Sequence, residues 1–255
     1  MHKLALITGA SSGLGKALAE ALAKQGISLI LVARDKDLLN EVAQALPGST
    51  RVHPCDLAQA EQKAELIKLI HELTPDLVIN NAGFGLYGPI LSHPLLPFQE
   101  MVAVNAQAVM ELSIESARAL KNKNQEGVIL NVSSAAAFFS YPTFCVYAAT
   151  KAFVNQFSQG FDEEMKPHGI RILTVCPGQI DTPFRRRAAC GFPQKTARFT
   201  LQEATAVRLI LKQIEKKKSF QIIDWRYRIG VVVGRWLPTA IINRILTSHL
   251  KDRYR

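Results

Sequence analysis

Short apolar runs alternate along this chain with longer stretches of helical period. Leu4-Ala5-Leu6-Ile7, 27–32, 50–53, Asp76-Leu77-Val78-Ile79, 128–132, 169–175 and 220–223 are short, apolar or β-branched, and bounded by glycine, proline or polar residues, so each reads as a strand. Ala17, Leu18, Ala21 and Leu22 carry helical spacing, and helices are expected over 35–46, 58–73 and 202–218. A long helix is expected after Pro142, where Val146, Phe153, Val154, Phe157 and Phe161 recur near one face. Phe98, Met101 and Val102 form a further helical pattern that runs up to Asn105. Strands alternating with helices imply an α/β fold, a doubly wound parallel sheet in three layers with right-handed crossovers. Ligands bind such a sheet beyond the carboxyl ends of its strands.

With 255 residues, 48% of them hydrophobic, the chain can bury one large core. The expected division is a dinucleotide-binding and catalytic domain over 1–225, with a substrate lid at about 183–200, and a basic amphipathic extension over 226–255. The start resembles no signal peptide, and no apolar run approaches the ~20 residues of a membrane span, so a cytoplasmic location is expected. Cys55, Cys145, Cys176 and Cys190 are far apart, form no Cys-x-x-Cys pair and are expected to be free thiols, with no metal site. The net charge of +10 is unevenly placed: residues 1–182 hold 14 Lys/Arg and 17 Asp/Glu, whereas 183–255 hold 17 and 4. Charge alone, with no recognisable nucleic-acid module, argues against a nucleic-acid partner.

Chemistry concentrates at the strand ends. Thr8-Gly9-Ala10-Ser11-Ser12-Gly13-Leu14-Gly15 joins a strand to a helix, the context in which a glycine-rich loop cradles a dinucleotide. Gly9 suits the tight turn, Gly13 the approach of a pyrophosphate, and Gly15 the packing of helix on strand. After the second strand, Ala33 offers no carboxylate for a ribose hydroxyl and Arg34 offers a guanidinium, which favours NADP over NAD. Asp56 is placed either to meet an adenine amino group or to cap the next helix. Asn80-Asn81-Ala82-Gly83 suits backbone that runs close to a ligand, while Asn105 reads equally well as a kink residue. Ser134 stands where the strand 128–132 emerges, and Tyr147 and Lys151 are four residues apart, one turn along a helix. An ammonium near a phenol lowers its pKa from about 10, which makes Tyr147 a candidate general acid/base.

These residues resemble the short-chain dehydrogenase/reductase family from Leu4 to about Ile223. The resemblance rests on Thr8-Gly9-x-x-x-Gly13-x-Gly15, Asn80-Asn81-Ala82-Gly83, Asn105, Ser134 thirteen residues before Tyr147, Lys151, and Pro177-Gly178 with Thr182. It implies that Tyr147 exchanges the proton, Ser134 polarises the carbonyl, Lys151 lowers the phenol pKa and binds the nicotinamide ribose, and Asn105 holds a relay water. It further implies a cofactor site of Gly9, Ser11, Ser12, Gly13, Leu14, Gly15, Arg34, Asp56, Leu57, Asn81, Ala82, Gly83, Tyr147, Lys151, Pro177, Gly178, Ile180 and Thr182. Ser133 is expected to be structural. The implied activity is hydride transfer between NADP(H), rather than NAD(H), and a lipophilic ketone, aldehyde or 3-oxoacyl-type substrate. A dimer or tetramer assembled through the long helix is implied as well. The chain departs from the family at Ser12, where NADP-dependent relatives often carry a basic residue, and at Ala108 and Thr150, where glycine and serine are common.

The basic C-terminal part leaves alternatives open. Arg185-Arg186-Arg187, Lys195 and Arg198 either receive an anionic substrate or carrier or form a solvated loop face. Beyond Pro238, Ile241, Ile242, Ile245, Leu246 and Leu250 make an apolar stripe among Arg244, Lys251, Arg253 and Arg255. Residues 238–255 thus suit peripheral contact with an anionic membrane, a cover for the substrate pocket or a subunit neighbour. A different class of function, a non-catalytic NADP-binding regulatory or scaffold protein, is disfavoured by the intact Asn105, Ser134, Tyr147 and Lys151 set.

Overall fold

The computed structural model describes residues 2–189, 200–234, Trp236 and Arg244. Seven strands, β1 (Leu4–Thr8), β2 (Ser28–Ala33), β3 (Thr50–Pro54), β4 (Leu77–Asn80), β5 (Gly127–Val132), β6 (Ile170–Cys176) and β7 (Phe220–Ile222), form one sheet in the order β3-β2-β1-β4-β5-β6-β7. Every neighbouring pair is parallel. The helices are α1 (Gly13–Ala23), α2 (Lys36–Gln44), α3 (Ala60–Leu73), α4 (Leu95–Val102), α5 (Ala108–Asn122), α6 (Cys145–Met165), α7 (Phe184–Ala188), α8 (Glu203–Glu215) and α9 (Trp225–Gly234). From β1 the chain adds strands in one direction to β3, then returns to β4 and proceeds in the other. The reversal opens a crevice beyond the ends of β1 and β4.

Both faces of the sheet are covered, which is why its strands read as continuous apolar runs. Ala5, Ile7, Leu29, Leu31, Leu77, Ile79, Val128 and Leu130 pack with Leu18 and Leu22 of α1 and Ala206 and Ile210 of α8. The alternate positions, Leu6, Ile30, Val32, Val78, Ile129 and Ile172, pack with Leu66 and Ile70 of α3 and Leu112 and Leu120 of α5. Each such side chain contributes about 1.5–3 kcal/mol of transfer free energy. Polar clamps set the register among β4, β5, β6 and α6. Asn80 Nδ2 donates to Asn131 Oδ1 (2.8 Å), and Asn131 Nδ2 to Ser158 Oγ of α6 (2.9 Å). Buried Asp162 of α6 accepts from Arg171 Nε (2.9 Å) and Nη2 (2.8 Å) and from the Ile172 N–H (2.8 Å), which pins α6 to β6.

Three details differ from the expectations. Helix α3 starts at Ala60 with Gln59 as its first cap, because Asp56 Oδ1 takes the Ala58 N–H (3.0 Å) and turns the chain before the helix begins. Asp56 therefore does not cap α3. Helix α8 was expected over 202–218 but ends at Glu215, and Lys217 beyond it has φ +45°, so Lys216-Lys217-Lys218 follow the helix. The apolar stripe of α6 divides: Val154 is fully buried, whereas Phe153, Phe157 and Phe161 stack along a more outward line at 5.9 and 5.5 Å. Phenylalanine spaced by four satisfies helical periodicity on either side, so spacing could not distinguish them.

Candidate active site

The crevice between β1 and β4 is floored by backbone. Gly9 has φ +67°, and a Cβ there would stand 2.9 Å from Ala82 Cα. A Cβ on Gly15 would stand 2.2 Å from Gly9 O and 2.5 Å from Asn81 Nδ2, so no side chain fits. Asn81 braces the loop by donating from Nδ2 to Thr8 O (3.0 Å) and Gly9 O (3.3 Å). Thr8 Oγ1 accepts from the N–H groups of Asn81 and Ala82, both at 3.0 Å. Ser12 occupies the cap position of α1 without a side-chain capping bond, so the first N–H groups of that helix stay available to a ligand. A cradle that any Cβ would fill, ending in an uncapped helix N-terminus, fits the phosphates of a nicotinamide dinucleotide.

The remaining cofactor candidates fall around this cradle. Leu14 packs on the α1 core cluster, and Ser11 is part-exposed in the loop. Arg34 is exposed at the end of β2; Asp35 beside it is occupied in capping α2 through the N–H groups of Asp37 and Leu38. Leu57 is buried in the second core cluster, so its side chain belongs to the fold. Pro177 O accepts the Ala135 N–H (2.8 Å), and Ile180 bridges to Leu201. Thr182 reaches the glycine loop: a Cβ on Gly13 would lie 3.3 Å from Thr182 Cβ.

One residue at this edge stood out in the sequence only as part of the Arg185-Arg186-Arg187 run. Arg187 of α7 donates from Nη2 to Ser12 Oγ (3.1 Å) across a sequence separation of 175 residues. The contact places a guanidinium from the segment that follows β6 beside Ser12. Of the lid expected at 183–200, residues 190–199 lie outside the described residues, as do Lys195, Arg198 and Cys190.

The reacting groups lie beside the cradle. Ser134 follows β5, and its Oγ accepts the Ala136 N–H (3.1 Å). The same hydroxyl lies against the Tyr147 phenol. Ser133 is buried and donates to Lys151 O (2.9 Å), in keeping with a structural part. Lys151 Nζ donates to Val132 O (2.9 Å) and stands 5.8 Å from the centre of the Tyr147 ring. Asn105 sits in a turn of π-helix, Ala103–Gln107, a distortion often found at functional sites. Its amide grips Phe84 from both sides, Oδ1 accepting from the N–H (3.0 Å) and Nδ2 donating to the C=O (2.8 Å). A Cβ on Gly83 would stand 3.0 Å from Asn105 Oδ1 and 3.3 Å from Lys151 Nζ, so glycine keeps open a space these two polar atoms share.

The electrostatics correct one expectation. Lys151 was expected to lower the Tyr147 pKa; burial instead holds the phenol well above its ordinary value, and the Ser134 hydroxyl opposes this only in part. The same burial pushes the Lys151 ammonium down to about 8. Desolvation disfavours a phenolate and an ammonium alike, and no carboxylate is among the groups acting on either.

An aromatic wall flanks the phenol. Tyr147 stacks on Phe144 (4.2 Å), Phe144 on Tyr87 (4.0 Å), and Phe184 of α7 leans on Tyr147 (5.7 Å). Phe144 is seated where Gly85 leaves room: a Cβ there would meet its ring at 2.6 Å. The arrangement can hold an apolar molecule with one polar oxygen at Ser134 and Tyr147. Among the described residues no group of side chains could hold a metal ion.

Comparison with known proteins agrees with this geometry. The family model for short chain dehydrogenases matches residues 3–190. An uncharacterized oxidoreductase of Staphylococcus epidermidis is 30% identical over 210 residues, 82% of this chain and 91% of that protein. One from Staphylococcus aureus is 32% identical over 183 residues, 71% and 79% of the two chains. Among solved structures, a short-chain dehydrogenase from Sphingobium yanoikuyae in complex with NADPH superposes with a TM-score of 0.81 at 27% identity, covering 92% of this chain and 94% of that one. The bulky-bulky ketone specific alcohol dehydrogenase from Comamonas testosteroni superposes at 0.75 with 29% identity, covering 86% and 85%.

Proposed function

The chain belongs to the short-chain dehydrogenase family, and from that premise we propose that it is an NADPH-dependent carbonyl reductase, or alcohol dehydrogenase in reverse, for lipophilic ketones, aldehydes or 3-oxoacyl-type substrates. The observation that carries this reading is the convergence of Ser134, Tyr147, Lys151 and Asn105 beside a backbone cradle and an aromatic wall. A nicotinamide nucleotide in the cradle supplies or accepts the hydride. Tyr147 gives its proton to the substrate oxygen, which Ser134 holds and polarises. Lys151 and Asn105 line the space that leads protons back to Tyr147.

Gly9, Ser11, Ser12, Gly13, Leu14 and Gly15 would hold the pyrophosphate side, with Arg34 and Arg187 on the phosphates. Asp56 and Leu57 would bound the adenine, and Asn81, Ala82, Gly83, Pro177, Gly178, Ile180 and Thr182 the nicotinamide half. Support for NADPH over NADH comes from Arg34 at the end of β2, with no carboxylate at Ala33 and the Asp35 carboxylate engaged in its cap. The outward Phe153–Phe157–Phe161 stack supports assembly of copies through α6. Titrating NADPH and NADH against wild type and Arg34→Ala tests the cofactor assignment. NADPH is expected to bind more tightly, and the substitution to cost about tenfold to a hundredfold for NADPH alone. Equal or tighter NADH binding by wild type would overturn the assignment.

A further inference from the structure

Helix α9 holds to the domain by one face and leaves the other bare. Its inner face is Tyr227, whose ring would lie 2.3 Å from a Cβ on Gly178, and buried Val231. Its outer face is Trp225, Ile229, Val232 and Val233, at helical steps that share one side. Trp236 extends the stripe through a turn in which its N–H donates to Val233 O (3.0 Å). These five side chains are 68, 53, 54, 50 and 86% exposed in chain order. Single exposed apolar residues are ordinary, but a stripe with an aromatic ring at each end is a patch that calls for a partner. Arg228 is exposed on one flank, and Arg226 lies on the other, paired with Asp224 (2.7 Å). Residues 225–255 together hold seven Lys/Arg and one Asp.

We propose that this face of α9 docks on an anionic lipid bilayer, with Trp225, Ile229, Val232, Val233 and Trp236 in the boundary between headgroups and acyl chains. Arg228, exposed on the flank of the stripe, meets the anionic headgroups. The choice of occupant rests on charge. An apolar protein partner would leave the net charge of +6 carried by residues 225–255 unanswered, and an acidic protein would leave the stripe wet, whereas an anionic bilayer satisfies both. Tryptophan suits that boundary because its ring is apolar and its N–H is a donor. The helix lies on the surface and does not cross it, since no helix among the described residues is long and apolar enough to span. Through Tyr227 and Gly178 the docked helix adjoins the loop that follows β6, which puts the bilayer beside the cleft.

The chain has two tryptophans, and both lie on this face, so its fluorescence reports the patch without engineering. The full-length protein is mixed with phosphatidylcholine vesicles, with and without phosphatidylglycerol and with and without brominated acyl chains. We expect pelleting with the anionic vesicles, little with phosphatidylcholine alone, and tryptophan emission that moves to shorter wavelength and is quenched by the brominated lipid. The double substitution Ile229→Asp and Val232→Asp, at two exposed positions, is expected to weaken vesicle binding about tenfold or more at unchanged circular dichroism and Tm. No pelleting, pelleting without quenching, or undiminished binding by the double variant overturns the proposal. So does short-wavelength emission shielded from acrylamide in vesicle-free protein, because the face is then already covered by residues 237–255 or by a second copy.

Discussion

The two halves of the catalytic edge are built by opposite means. The half formed by β1, β4, β5 and α6 is locked from within. Its glycines admit no side chain, Asn81 and Thr8 stitch the loop to the next strand, and Asn131 and Asp162 fix α6 against the sheet. The half that follows β6 is closed by side chains arriving from late in the chain: Thr182 against Gly13, Arg187 on Ser12, Tyr227 over Gly178. The first half buries a lysine and a tyrosine at a cost in solvation, while the second spreads its cations over the surface. On the proposed reading, the first half would position the proton and the second would meet the phosphates with charge.

Breaking the first half at its centre has the largest expected effect. Tyr147→Phe removes the proposed proton donor to the substrate oxygen, so kcat is expected to fall about 10²–10⁴-fold. Cofactor affinity, measured by titration in the same preparation, is expected to change little. Turnover that persists in Tyr147→Phe would remove the proposed acid.

Lys151→Met sharpens the contrast through pH. With the folded pKa at about 8 and the ordinary value at 10.5, the unfolded chain holds the proton more tightly, so the ammonium destabilises the fold. The penalty is full below pH 8, about 3 kcal/mol from that difference, and fades as pH rises towards 10.5. Loss of the bond to Val132 O offsets about 1 kcal/mol. The variant is therefore expected to lose activity yet to gain about 2 kcal/mol at pH 7, a gain that shrinks towards pH 10. Denaturant melts at the two pH values measure it, and a variant less stable at both would show that Lys151 supports the fold.

The same division explains what could be read in the sequence. Gly9, Gly13, Gly15 and Asn81 were legible because the backbone there excludes other residue types, and Tyr147 and Lys151 because one helical turn fixes their relation. Strands β1, β2, β4 and β5 were legible because both their faces are buried. What escaped depends on distant contacts. The grip of Asn105 on Phe84 and the seat of Phe144 on Gly85 exist only once the strands are placed. The excess of charge after residue 182 was visible, but not that Arg187 is its member at the glycine loop. The high Tyr147 pKa also escaped, since it follows from burial and the sequence showed only the lysine.

The smallest expected effect belongs to the second half and tests whether its charge is functional. Arg187 donates to Ser12 Oγ from an exposed position, so Arg187→Ala is expected to change Tm little. If Arg187 holds a phosphate, the substitution lowers NADPH affinity about tenfold, because an exposed cation contributes about 1.4 kcal/mol to a charge-assisted bond. Which phosphate it meets follows from the other cofactor. A loss confined to NADPH places Arg187 with Arg34 on the 2′-phosphate, and an equal loss for NADH places it on the pyrophosphate that both share. In the first case Arg34→Ala and Arg187→Ala act on one group, and their combined cost departs from the sum of the two. In the second the costs add, since the sites are separate. Unchanged affinity for both nucleotides would mean that the contact with Ser12 only fastens α7 to the loop, leaving Arg34 as the one cation that selects the cofactor.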